Sequence, residues 1–156
     1  MFYLIPRPLH RAALRVAHNL RHRWRKFAKV RLAGVSVFVT DMDGRLLLVR
    51  HSYGPGGWAL PGGGMGRNED PIDAARREVR EEVGCTLDQI RILDSIQETI
   101  SGSPHTAWLA AGVTQDRPQP DRREVIDARF FPLHSLPEPL TVLTRKRIDA
   151  WRGSLK

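Results

Sequence analysis

The stretch Gly63–Cys85, GGMGRNEDPIDAARREVREEVGC, constrains this chain more than any other. Glycines open it, and Pro71 stands where a first-turn proline does. Ile72, Ala75, Val79 and Val83 then recur at the helical period, which predicts a helix over 71–83 with one apolar stripe. Glu78, Glu81 and Glu82 stand at i, i+3 and i+4, so they share a face beside that stripe, at the rim of a core. Like charges at this spacing repel, by roughly 0.2–0.5 kcal/mol per pair. A divalent cation reverses the sign of that interaction, and clustered carboxylate oxygens suit a hard ion, Mg²⁺ or Mn²⁺. The preceding glycines permit a close backbone approach, where a carbonyl such as that of Gly63 can join the coordination. Glu69 and Arg77 are available for an ion pair bracing the loop against the helix.

A glutamate-rich helix face is ordinarily just a solvated surface, but the spacing here is more demanding. The stretch follows the pattern G-x5-E-x7-R-E-U-x-E-E-x-G-U, with U a bulky aliphatic residue. Its fixed positions are Gly63, Glu69, Arg77, Glu78, Glu81, Glu82 and Gly84. Seven specified residues arise by chance at roughly one site in 10⁸ or fewer, far beyond a short glycine motif. The stretch resembles the Nudix box, and the chain is similar to Nudix hydrolases. One departure is Cys85 at the last aliphatic position, a small hydrophobe that packs much as one. The likeness extends from about Leu32 to Trp151, through WALPGGG before the box and REVIDARFFPLHSLPEPLT after it.

The resemblance implies an α/β fold, an α/β/α sandwich around a mixed β-sheet. It implies Mg²⁺-dependent hydrolysis of a nucleoside diphosphate linked to another moiety, with nucleoside triphosphates and nucleotide sugars equally open. By the same resemblance Glu78, Glu81 and Glu82 are metal ligands. Glu78 and Glu81 are the candidates for activating water, and Glu69, Arg77 and Gly84 shape the motif. A further acid from a later loop is expected to join them, and Glu124, six residues before Phe130, is the best positional match. The residue types suit the chemistry. Metal ions neutralise the oxygens that repel a nucleophile from pyrophosphate, and they lower the pKa of bound water. A carboxylate can then take the proton, so no Ser or Cys nucleophile is needed.

Elsewhere the period-two alternation of Val35, Val37 and Val39 predicts a strand. Asp41-Met42-Asp43-Gly44 reads as a turn into a buried strand over 45–50, and the two make a hairpin. Further strands are expected over 90–100 and 106–113, a short segment over 128–131, and a last helix over 142–151. Substrate readers are sought on the strands and loops facing the acids. Arg50 can pair with phosphate, and Tyr53, Trp58 or Trp108 can stack on a base. Subfamily marker residues some sixteen positions beyond the box are absent at Ser101 and Gly102. His51, His105 and His134 are not at metal-ligand spacing and receive no role.

With 156 residues, 41% hydrophobic, the chain suits one domain with a real core. No apolar run spans a membrane, the run 1–5 is short for a signal peptide, and a lone cysteine excludes an internal disulfide. A cytoplasmic location is expected. Charge divides the chain more sharply. Residues 1–31 hold nine Lys or Arg and no acid, whereas the rest holds sixteen basic and seventeen acidic residues. The pI near 10.7 therefore describes the N-terminal segment. Residues 8–30 read as a helix with an apolar stripe (Leu9, Ala13, Val16, Ala17, Leu20, Trp24, Phe27) opposite a basic face. The expected organisation is a basic amphipathic extension over 1–31 and a Nudix domain over 32–156. The extension can dock on its own domain, which is the preferred reading. It can also lie peripherally on an anionic membrane or contact nucleic acid, for which nothing further speaks. The alternative to an enzyme is a non-catalytic Nudix-fold module recruited to membrane or RNA by that helix. The oligomeric state is not legible.

Overall fold

The alternation that begins at Ala33 places successive side chains on opposite faces of a sheet, and both faces are covered. The computed structural model describes residues 12–14, 16–17 and 32–154. Most of the helix predicted over 8–30 thus lies outside the described residues; 12–14 and 16–17 are helical. The elements are β1 (Leu32–Thr40), β2 (Leu46–His51), β3 (Trp58–Ala59), β4 (Gly62–Gly64), α1 (Pro71–Val83), β5 (Asp88–Ile100), β6 (Ser103–Val113), β7 (Val125–Phe131) and α2 (Val142–Ser154). They form one mixed sheet in the order β3-β2-β1-β6-β5, with β4 on β1 and β7 on β2. Among the described strands only the β1–β6 pair is parallel, in register from Leu32↔His105 to Thr40↔Val113.

Valines and leucines on the central strands sort by parity. Val35, Val37 and Val39 join Leu47, Val49 and Ala110 beneath α1, where Ala74, Ala75, Val79 and Val83 are buried. Phe38 joins Leu46, Leu48, Leu109 and Ala111 on the other face, beneath Ile148 and Trp151 of α2. Each such Val or Leu contributes roughly 1.5–3 kcal/mol on full burial. The result is the α/β/α arrangement that the resemblance implied.

Helix α1 matches its predicted bounds because its ends are chemically marked. Asp70 caps it by accepting from the Ile72 amide at 2.8 Å, and Gly84 ends it in the left-handed region at φ 68°. The turn at Asp41 is likewise as expected, its carboxylate accepting from the Asp43 and Arg45 amides at 3.0 and 2.9 Å. The expected β1–β2 hairpin is different. It closes at the single pair Thr40↔Leu46. The glycines of β4 take the first half of the same edge, pairing with Gly34, Val35 and Ser36. The strands are therefore splayed, and β2 pairs along its length with β7 instead. β7 begins three residues earlier than the segment expected over 128–131, because β2 offers that whole edge.

Candidate active site

Strand β4 delivers a glycine loop to the face of α1 that carries the acids. Gly62 has φ +149°, and a Cβ there would lie 2.0 Å from the Val35 carbonyl oxygen. At Gly63 a Cβ would sit 2.7 Å from the carboxylate atoms of Glu78. Only glycine lets the strand lie this close to the helix. Arg77 holds the same junction. Its Nε and Nη2 donate to the two Glu69 oxygens at 2.8 and 3.0 Å. Nη2 also donates to the Gly64 carbonyl at 3.0 Å. Nη1 donates to Glu78 at 2.8 Å and to Glu81 at 3.4 Å. Glu69 accepts the Gly66 amide as well, at 2.7 Å. The Arg77 guanidinium, then the Gly66 amide, hold the Glu69 carboxyl at about 2. The brace expected between Glu69 and Arg77 is thus present and reaches two of the box acids.

The three glutamates form a gradient from solvent to core: Glu81 is exposed, Glu78 half-buried, and Glu82 only 4% exposed. Burial pushes the Glu82 carboxyl up, against the pull of His51, while the charge of Glu124 adds to the rise. Burial raises Glu78 as well, with Glu82 and Glu81 adding to it and Arg77 opposing. Glu82 accepts from the Gly62 amide at 3.2 Å and pairs with His51 Nε2 at 2.9 Å. Burial alone would lower the His51 pKa, but Glu82, Glu124 and Glu78 together raise it. His51 received no role from the sequence. The available signal was its parity, since it follows Leu47 and Val49 on the face that α1 covers.

Glu124 comes from the loop before β7. Asp121 Oδ1 accepts from the amides of Arg123, Glu124 and Val125 at 2.9–3.0 Å, which fixes that turn. The Ser52 amide then donates to the Glu124 carbonyl at 2.9 Å, tying the loop to the end of β2. A cavity of about 140 Å³ results, walled by Gly62–Gly64, Tyr53, Leu14, Glu78, Glu81, Glu82 and Glu124. Across the same glycines lies a larger cleft of about 420 Å³, which His51 and Tyr53 also line.

The structure thus gathers Glu78, Glu81, Glu82, Glu124, Gly63 and Tyr53. Gly63 lines the acidic cavity, although its carbonyl oxygen lies next to Gly34. The proposed stackers other than Tyr53 are elsewhere. Trp58 is core: 8% exposed, its ring 4.9 Å from Phe131 in an edge-on contact. Arg50 does not reach the acids; its guanidinium lies over the Trp58 ring at 5.7 Å. Trp108 packs under α1, on the face opposite the larger cleft's α2 residues. Strand parity accounts for all three, because a bulky side chain follows its face of the sheet and not its chemistry.

The donor set fits a hard divalent cation, since four carboxylates wall one cavity and the charges of their neighbours add to the raised proton affinity of Glu78 and Glu82. Among the described residues, no three His, Cys, Asp or Glu side chains converge closely enough to hold a metal as they stand. Arg77 Nη1 lies between Glu78 and Glu81, at 2.8 and 3.4 Å, where a cation shared by those two carboxylates would compete with it.

Residues 30–151 match the NUDIX domain family. An RNA pyrophosphohydrolase of Saccharophagus degradans is 40% identical over 63 residues, 40% of this chain and 37% of the relative. A CMP-5'-(N-acetyl-N-hydroxy-3-aminopropyl)phosphonate hydrolase of Streptomyces rubellomurinus is 32% identical over 117 residues, 71% of this chain and 57% of the relative. The chain thus spans well under two thirds of the length of either. Among solved structures, a MutT NUDIX hydrolase from Burkholderia pseudomallei superposes with a TM-score of 0.68 at 27% identity, over 77% of this chain and 97% of that one. With the box residues, the sheet and the family match in agreement, the chain belongs to the NUDIX domain family.

Proposed function

We propose that this chain is a divalent-metal-dependent pyrophosphohydrolase that cleaves a nucleoside diphosphate linked to another moiety, a nucleoside triphosphate or a related nucleotide. One observation carries the reading: a cavity walled by four carboxylates shares its glycine wall with a cleft three times its volume. The first is sized for a pyrophosphate with its cations, the second for the rest of a nucleotide. The relatives support the class, being hydrolases of an RNA pyrophosphate and of a CMP-linked phosphonate.

Glu78, Glu81, Glu82 and Glu124 would hold the cation, which supplies charge neutralisation at the phosphate oxygens and an acidified water. The chain's own residues do the rest. Glu78, a half-buried carboxyl with raised proton affinity, is suited to take a proton from water at its free oxygen. His51 and the Gly62 amide orient Glu82 from the core side. Arg77 holds the glycine wall through Gly64 and Glu69, keeping the cavity and the cleft in fixed relation.

The test is a hydrolysis screen over a nucleotide panel with Mg²⁺ or Mn²⁺, scoring phosphate and pyrophosphate release separately. Metal-dependent release from a nucleotide supports the proposal. No turnover of any nucleotide, with binding retained, would make the chain a non-catalytic module of the same fold.

A further inference from the structure

Helix α2 turns one charged residue toward the sheet. Arg147 follows buried Thr144 by three positions and precedes Trp151 by four, so it lies on the inward stripe of the helix. Its side chain is 12% exposed and that of Glu98 17%. Nη2 donates to both Glu98 oxygens at 3.2 and 3.0 Å, and Nη1 donates to Ser36 Oγ at 2.5 Å. Nε is buried without a hydrogen-bond partner among the described residues. Arg147, Ser36 and His105 line the larger cleft, whose other walls include Val35, Leu60, Ala107 and Leu143.

Three features define what fits there. The guanidinium charge is matched by Glu98, so the floor offers no unpaired cation to a phosphate. Apolar side chains and the peptide planes of Gly34 and Gly62–Gly64 form walls suited to a flat ring. Arginine has five donors and no acceptor, so a group resting on it must present acceptors.

We infer that Arg147, held by Glu98 and Ser36, is a specificity-determining residue that reads the acceptor edge of an uncharged nucleobase in this cleft. Guanine offers adjacent O6 and N7 acceptors, and cytosine offers O2 and N3; adenine and uracil interrupt the corresponding edge with an N–H. The cleft therefore prefers guanine and cytosine nucleotides. This rests on the proposed function, because it names the substrate group that lies beside the carboxylates.

Equilibrium binding of GMP, CMP, AMP and UMP to the full chain, followed by calorimetry, tests it without requiring turnover. GMP and CMP should bind at least about tenfold more tightly than AMP and UMP, the range set by one or two hydrogen bonds to a charged donor. Arg147→Gln should cost GMP and CMP that advantage and leave the four within about threefold of one another. A merely structural Arg147 would weaken all four alike, and that result overturns the inference. So does the absence of any base preference, or of any binding, in the wild-type chain. Ser36→Ala, which removes the acceptor that holds Nη1 in place and little volume, provides a second variant should Arg147→Gln fail to fold. It should narrow the spread in the same direction, and an unchanged spread overturns the inference. Loss of hydrolysis across the panel with the base preference intact would instead fail the enzyme reading and spare this one.

Discussion

Replacing Glu82 with glutamine separates what the buried acid does for the fold from what it does for chemistry. The side chain is 4% exposed and accepts from the Gly62 amide while pairing with His51. Glutamine keeps the shape. Its carbonyl oxygen can retain the Gly62 amide, and its NH₂ can donate to His51 Nε2 if the imidazole proton moves to Nδ1. The variant loses a charge-assisted hydrogen bond of about 1.5–3 kcal/mol. It also loses the desolvation cost of a buried carboxylate, several kcal/mol per ion. These offset, so stability should change by no more than about 1 kcal/mol, a melting shift of about 4 °C or less at this size. Turnover should fall far more, because a neutral amide cannot neutralise a cation. A thermal melt and a phosphate-release assay at saturating Mg²⁺ read the two effects. If Glu82→Gln keeps more than about a tenth of wild-type turnover, the barrier has risen by less than ~1.4 kcal/mol and the assignment of Glu82 to the metal shell is wrong.

Glu124→Gln should lower kcat more than it raises KM if Glu124 completes the shell or acts as base, whereas an unchanged rate would leave it an exposed loop acid. Glu69 predicts a pH dependence. Its carboxyl is held at about 2 against an ordinary 4.5, so the unfolded chain takes the proton first. The pair's stabilisation is complete above pH 4.5 and is lost as pH falls towards 2. The stability gap between wild type and Glu69→Gln in urea should therefore shrink on going from about pH 5 to about pH 3, and a constant gap would refute the pairing. For the N-terminal segment, docking predicts that deleting residues 1–31 lowers the melting temperature and that neither form sediments with anionic vesicles. Leu14 against the acidic cavity favours that outcome. Salt-sensitive vesicle binding by the full chain alone would instead establish a lipid anchor, each surface Lys or Arg contributing about 1 kcal/mol.

What could be read from the sequence were features with local chemical markers. Asp70, Pro71 and Gly84 bound α1, and the i, i+3, i+4 spacing of Glu78, Glu81 and Glu82 places them on one face whatever surrounds the helix. Residues whose roles depend on long-range pairing escaped. His51 and Glu82 are thirty-one positions apart, and Arg147 reaches Ser36 across 111. Trp58 and Arg50 misled for a related reason. Their chemistry suits nucleotide binding, but the β2–β3 register stacks them on each other, away from the acids. The splayed β1–β2 pair was hidden as well. Nothing in the turn at Asp41 announces that a glycine strand twenty residues later competes for the same edge.

The parity of β2 has a consequence for engineering. Leu46 and Leu48 belong to one core, and Leu47 and Val49 to the other, although all four are consecutive and fully buried. Sequence neighbours here face different clusters of side chains across the sheet. Substitutions on the α2 side should then combine with substitutions on the α1 side by simple addition, to within about 0.5 kcal/mol, where the two sites lie more than about 7–10 Å apart. Leu60 and Leu143, on the α2 side of the larger cleft, can be exchanged to suit a different ring, whereas Val35 and His51 in its wall belong to the face that seats the carboxylates and should be kept.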